Sequence, residues 1–312
     1  MKTIGFRRFG AVLLFFCCLF LGFGCGKKGG NEDGLKPPQA YTPGKTTVLV
    51  PEAPGTVTTG EDPLILDFSN AGQGYFMGKL TQPDTKINIQ ITGPDNVCYK
   101  YFLTEADSWT AFPITAGNGA YLVLAYQEIS DGQYASLFSY SLNVTLDSEF
   151  YPFLYPNQYV NFNDKSQVVA EAVQLAANCD TDLDVVTKVY NYVTTNITYD
   201  HDKATNVQSG YTPDVDKILA SGTGICLDYS AVMASMLRSQ GIPTRLEVGY
   251  AGTAYHAWIS THITDIGWVN GIIQFDGTSW SLMDPTFAAN SSESSLKSFI
   301  GNGSNYKTKY VY

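Results

Sequence analysis

Charge is scarce in this 312-residue chain. Only 15% of its residues are Asp, Glu, Lys or Arg, against roughly 25% in an average soluble protein. Cations are scarcer still, with 19 Lys and Arg against 29 Asp and Glu, which leaves a net −10. Such a chain lacks the basic footprint that phosphate neutralisation requires, so no nucleic-acid partner is expected. Histidines number three, and no C-x-x-C occurs among the six cysteines. Neither a zinc motif nor a thioredoxin motif is therefore supported. No internal repeat is visible. What is abundant is apolar and aromatic: 44% hydrophobic residues, 13% aromatics, 29 glycines and 21 tyrosines. That composition disfavours disorder, and the length suits two domains.

Residues 1–24 read as a signal peptide. Lys2, Arg7 and Arg8 form a basic start, and the apolar run from Phe9 to Gly24 is about 16 residues, short of the roughly 20 that span a bilayer. The boundary Leu21-Gly22-Phe23-Gly24-Cys25 resembles a bacterial lipobox, with its Leu four rather than three positions before the Cys. That resemblance implies lipidation of Cys25 and anchoring at the extracytoplasmic face of a cell membrane. Residues 25–45, with Gly29, Gly30, Gly34, Pro37, Pro38 and Pro43, read as a flexible tether. Removal of 1–24 takes away three cations and no acids, moving the net charge from −10 to −13. A weak preference for basic substrates follows from that charge. Beyond Cys25, only Cys98, Cys179 and Cys226 remain. Three thiols cannot all pair, and a Cys98–Cys179 bridge stays open.

Two patterns divide the rest. Over 46–148, short apolar runs at 48–50, 64–68, 75–80, 87–91, 99–103, 121–126 and 137–144 alternate with turn residues such as Asp95-Asn96 and Gly117-Asn118-Gly119. Ile87, Ile89 and Ile91 alternate with polar neighbours, as on a half-buried strand. About seven strands predict an all-β sandwich of immunoglobulin-like or jelly-roll type, serving as a spacer or binding module. Over 149–312 the period becomes helical: Val168, Val169, Ala172, Val173, Leu175 and Ala176, then Leu183, Val186, Val189, Tyr190 and Val193, with Asp180 or Thr181 as cap.

Candidate chemistry lies in 221–241. Tyr229, Val232, Met233, Met236 and Leu237 mark one face of a helix, Gly241 its stop and Pro243 the residue beyond. Cys226 sits at the first turn, where the positive end of the helix dipole favours a thiolate; a buried core cysteine is the plainer alternative. His201 falls in a polar loop. His256 opens a strand-like stretch, and His262 would share its face about 20 Å away, so only one of them can meet Cys226. Asp284, in Asp284-Pro285-Thr286, could orient an imidazole; Asp276, before Gly277, reads as an exposed hairpin turn.

Taken in order, Gly224-Ile225-Cys226, Gly241-Ile242-Pro243-Thr244-Arg245, Gly249-Tyr250, His256-Ala257-Trp258, Gly267-Trp268 and Trp280 through Thr286 resemble the transglutaminase-like superfamily of papain-type folds, over roughly 165–290. The resemblance implies an α+β domain in which a helix carrying the Cys packs on an antiparallel sheet carrying His and Asp. It implies a catalytic triad of Cys226, His256 and Asp284, and no cofactor. In it, His256 would take the thiol proton, Asp284 would hold the imidazole, and the Cys226 N–H would face the oxyanion. Tyr199 and Trp258 are weaker candidates for oxyanion or substrate contact. Animal transglutaminases carry Trp after the nucleophile and need calcium. Here Leu227 and Asp228 follow and no acidic loop resembles a calcium site, which disfavours a calcium-activated cross-linker. Three functions stay open: a surface cysteine peptidase or amidohydrolase acting on protein or cell-wall peptide, an acyltransferase cross-linking through an amine, and a non-catalytic adhesion module.

Overall fold

The computed structural model describes residues 45–251, 253–264, 267–270, 272–275, 280–283 and 306–312, and these fall in one compact unit. The first half is a sandwich of two antiparallel four-stranded sheets. One contains β1 (Thr58–Glu61), β2 (Leu64–Asp67), β3 (Tyr75–Leu80) and β6 (Thr110–Pro113) in the order β1-β2-β3-β6. The other orders β5 (Cys98–Leu103), β4 (Ile87–Thr92), β7 (Gly119–Ser130) and β8 (Gln133–Val144) as β5-β4-β7-β8. Ile87, Ile89 and Ile91 are all buried, as their alternation predicts. They share a core with Leu64, Leu66, Phe76 and Phe112 of the facing sheet. The turns come where left-handed backbone is available, at Asn96 (φ +58), Gly117 (φ +79) and Gly132 (φ +70).

The strand map departs from the sequence reading in three places. Residues 48–50 are irregular and dock instead through the Thr47 N–H, which donates to the Ser239 carbonyl at 2.8 Å. Strand β1 was not anticipated because three of its four residues are exposed, leaving no apolar period to read. Strand β6 is equally short and ends on Pro113.

The second half supplies α1 (Gln167–Ala176), α2 (Asp182–Asn196), β9 (Thr198–Tyr199), α3 (His201–Asn206), α4 (Val215–Ser221), β10 (Thr223–Gly224) and α5 (Cys226–Ser239). Thr181 and Asp184 form a reciprocal capping box at the start of α2. The segment at His201 is a short helix rather than a loop, because the Asp200 side chain accepts the Lys203 N–H at 2.8 Å and caps it. Then follow β11 (Thr244–Ala251), β12 (Ala254–Ile263), β13 (Gly267–Asn270), β14 (Ile272–Phe275), β15 (Trp280–Met283) and β16 (Tyr306–Val311). The main sheet runs β13-β12-β11-β16, all antiparallel, and β14 pairs with β15. Helix α5 packs on β12 and β11 and against α1, α2 and α4, so Tyr229 through Ser239 are all buried.

One hydrophobic core runs through both halves. Tyr99 of β5 meets Tyr310 and Tyr312 edge-on at 5.6 and 5.8 Å, and the Thr115 hydroxyl donates to the Val311 carbonyl at 2.9 Å. Arg238, fully buried, ties three distant segments together. Its guanidinium donates to the carbonyls of Thr244 (2.8 Å), Tyr155 (2.7 Å) and Tyr312 (2.7 Å). Burial pulls its pKa down to about 9, still well above neutral. Among the described residues no helix is long and apolar enough to cross a membrane.

Candidate active site

Helix α5 begins at Cys226, whose thiol is half-buried at the first helical position. The preceding strand β10 lies parallel to β9, with Gly224 beside Tyr199, and the Asp200 N–H donates to the Gly224 carbonyl at 2.9 Å. The Tyr229 hydroxyl, one turn into α5, donates to the Ile197 carbonyl at 2.5 Å. Tyr199 is thus fixed beside the helix start by backbone pairing and by a buried side chain.

The first turn of α5 is held by a carboxylate that the sequence reading passed over. Asp228, fully buried, accepts the Ile225 N–H (2.9 Å), the Lys203 ammonium (2.5 Å) and the Tyr211 hydroxyl (2.7 Å). A side-chain acceptor three residues after the helix cap satisfies one of the orphan N–H groups. A counter-cation is what makes a buried carboxylate tolerable. Burial opposes the charge on Lys203, but hydrogen bonds to Asp228 and Tyr211 outweigh it and raise its pKa above the usual lysine value. Burial likewise lifts Tyr211 to about 12. Gly224 is needed for this arrangement, since a Cβ there would lie 2.7 Å from the Asp228 Cβ. The signal was available: an Asp at the third position of a predicted helix is a capping residue by type and place.

His256 reaches the same place from the sheet. It is buried on β12, directly opposite Gly249 of β11. Gly249 permits β16 to close in, because a Cβ on it would sit 2.1 Å from the Lys307 carbonyl oxygen. Cys226, His256 and Tyr199 line one cavity of about 800 Å³, together with Leu227, Tyr211 and Tyr255. The Tyr255 pKa is raised by burial first and then by its neighbours Tyr310 and Tyr250.

The other candidates fall elsewhere. His262 packs edge-on against Phe150 (ring centroids 4.5 Å) and Trp268 (5.6 Å). His201 stacks edge-on beside Tyr199 at 5.0 Å. Trp258 does not face the cavity: it is buried, its indole N–H donates to the buried Glu247 carboxylate at 2.6 Å, and its ring packs on Tyr306 at 4.8 Å. It therefore braces β11, β12 and β16. Asp284 and Asp276 lie outside the described residues, as does Cys25. Cys98 and Cys179 are free thiols. Among the described residues no group of three or more His, Cys, Asp or Glu could hold a metal ion.

Residues 170–271 match the family model of the transglutaminase-like superfamily, so the stretch that brings Cys226 and His256 to one cavity is a transglutaminase-like domain. The superfamily is in general one of cysteine-based enzymes. No functionally curated protein matches the chain. Among solved structures, it is similar to a candidate cysteine protease from Cytophaga hutchinsonii, at 14% identity and TM-score 0.33, covering 68% of this chain and 78% of that one. It is also similar to the periplasmic domain of TgpA from Pseudomonas aeruginosa, at 14% identity and TM-score 0.33, covering 83% and 85%. A transglutaminase from red sea bream aligns at 14% identity and TM-score 0.27, with this chain covering 48% of that protein.

Proposed function

We propose that the protein is a cysteine peptidase or amidohydrolase that forms an acyl-enzyme on Cys226. The observation that carries this reading is the shared cavity: a helix-start thiol and a strand histidine from distant parts of the sequence both open onto it. His256 takes the thiol proton, and the thiolate attacks the carbonyl carbon of a peptide or carboxamide. The resulting oxyanion is stabilised by the Cys226 N–H, with Tyr199 as second donor. His256 then returns the proton to the departing amine, and water, deprotonated by the same imidazole, releases the acid. Asp284 is assigned the role of orienting His256, by its place in the superfamily's residue order. An amine in place of water would give transamidation; hydrolysis adds the mass of water to the substrate, while amide exchange loses ammonia.

The N-terminal reading supports placing this chemistry outside the cell. A leader over 1–24, lipidation at Cys25 and a tether over 25–45 would hold the enzyme on the extracytoplasmic face of the membrane, acting on surface protein or cell-wall peptide. The test is a thiol-directed activity probe applied to wild type, Cys226→Ala and His256→Ala, with peptide turnover followed by mass spectrometry. Labelling should vanish in Cys226→Ala and fall sharply in His256→Ala. Labelling of Cys226 that is indifferent to His256 would overturn base activation, and with it this function.

A further inference from the structure

The cavity at Cys226 is not walled by the transglutaminase-like stretch alone. Strand β5 of the sandwich turns Tyr99, Tyr101 and Leu103 into the core, and its alternate residues Lys100 and Phe102 line the cavity instead. The loop at 207–211 closes against that face: a Cβ on Gly210 (φ +86) would lie 3.3 Å from the Phe102 ring. The sandwich therefore contributes directly to the site that the proposed nucleophile opens onto.

The charge of this lining is the reverse of the charge of the chain. The protein carries −10 in total, yet no Asp or Glu is among the described residues lining the cavity, and Lys100 is the one lysine or arginine there. Neighbouring lysines are neutralised: Lys86 pairs with Glu128 at 3.2 Å and Lys203 with Asp228 at 2.5 Å. Lys100 is in none of the ion pairs of the described residues. A cavity of about 800 Å³ is on the order of 10 Å across, comparable with the screening length of about 8 Å at physiological salt. An ammonium at its wall, exposed as Lys100 is, therefore acts on an anion that enters the cavity. Tyrosine supplies most of the remaining aromatic surface, an amphipathic lining suited to peptide.

We propose that Lys100 is a specificity-determining residue and that the cleft takes acidic peptides, with a carboxylate on a residue flanking the carbonyl attacked by Cys226. This deepens the reading of Cys226 as a peptidase nucleophile and rests on it. It also reverses the preference for basic substrates expected from net charge, because the nearest charge governs a bound ligand while distant surface charge is screened.

The test compares two alkylating probes of nearly equal size, anionic iodoacetate and neutral iodoacetamide, each losing iodide as the Cys226 sulfur forms its S–C bond. The ratio of their rates should fall about threefold in Lys100→Met and about tenfold in Lys100→Glu, since a single charge removed or inverted across the cavity acts on the anion alone. It should hold steady in Lys165→Met, which makes the same change of net charge at an exposed site outside the cavity. A ratio unchanged in both Lys100 variants overturns the proposal. Paired peptides differing only by Glu or Gln beside the scissile bond separate the two readings. If both are cleaved and their kcat/KM ratio ignores Lys100, the specificity assignment fails while the peptidase stands. If neither is cleaved but the alkylation ratio shifts as stated, the charge-selective cleft stands and the peptidase reading fails.

Discussion

Two histidines share one face of β12, six residues apart, and meet opposite fates. His256 lines the cavity of Cys226. His262, about 20 Å along the strand, lies level with the far end of the helix, its N–H donating to the Pro243 carbonyl at 2.9 Å. There it is enclosed by Phe150 and Trp268, and Arg245 stacks on the Trp268 ring at 3.7 Å. Burial lowers the His262 pKa, opposed by Glu149 and Asp182 and assisted by Arg245. Identical side chains on one strand face are thus sorted by where along the strand they fall: at the cavity that Cys226 lines in one case, in an aromatic box in the other.

Substituting the two histidines in turn should separate these roles most sharply. His256→Ala is expected to reduce acyl transfer by about 10²–10⁴-fold, the usual size of a lost general base, with little change in melting temperature. His262→Ala should leave Cys226 labelling near wild type while lowering the melting temperature. Equal losses of labelling in both variants would break the contrast. The next effect in size is at the rear of α5. Arg238→Leu leaves the carbonyls of Thr244, Tyr155 and Tyr312 without their shared donor. At about 1–3 kcal/mol for each buried acceptor left unsatisfied, chemical denaturation should show a loss on the order of 3 kcal/mol or more.

Gly249→Ala probes the cavity end of the same sheet. Its Cβ would meet the Lys307 carbonyl at 2.1 Å, so β16 must move, costing about 1–3 kcal/mol. Because Gly249 faces His256 across β11 and β12, probe labelling should drop along with stability. A drop in stability alone would mean that β16 yields without disturbing the histidine. The smallest effect concerns pH. A histidine whose folded pKa lies below its unfolded value binds more protons when unfolded, so stability rises with pH through that interval and is lost as pH falls below about 6.5. His262→Gln should flatten the melting-temperature profile between about pH 7 and 5, whereas a steeper profile would contradict a depressed His262.

Much of this contrast could be read from the sequence. The apolar spacing around Tyr229 located α5, Gly241 its end, and the six-residue interval excluded one histidine from meeting Cys226. Strand β3 falls at its anticipated bounds because its run is apolar but for Lys79 and nearly all buried. What escaped was whatever depends on a partner far along the chain. Strand β1 exists only by pairing with β2. Trp258, two residues from His256 and on the same strand face, is committed to Glu247, which stands opposite it to receive the indole N–H. Asp228 was visible as a helix-start acid, but its pairing with Lys203, 25 residues earlier, was not. The place of Lys100 in the cavity wall depends on how the sandwich packs against β16, which no local pattern encodes.

The position of β16 has a temporal consequence. Tyr310 and Tyr312 help to line the cavity, and β11 is paired by residues 306–311. A polypeptide made from its amino end has both sulfur and imidazole long before these tyrosines arrive. The reactive pair therefore stays unhoused from the time residue 256 is made until residue 312 follows, and the cleft is assembled only when this late strand slots in beside β11.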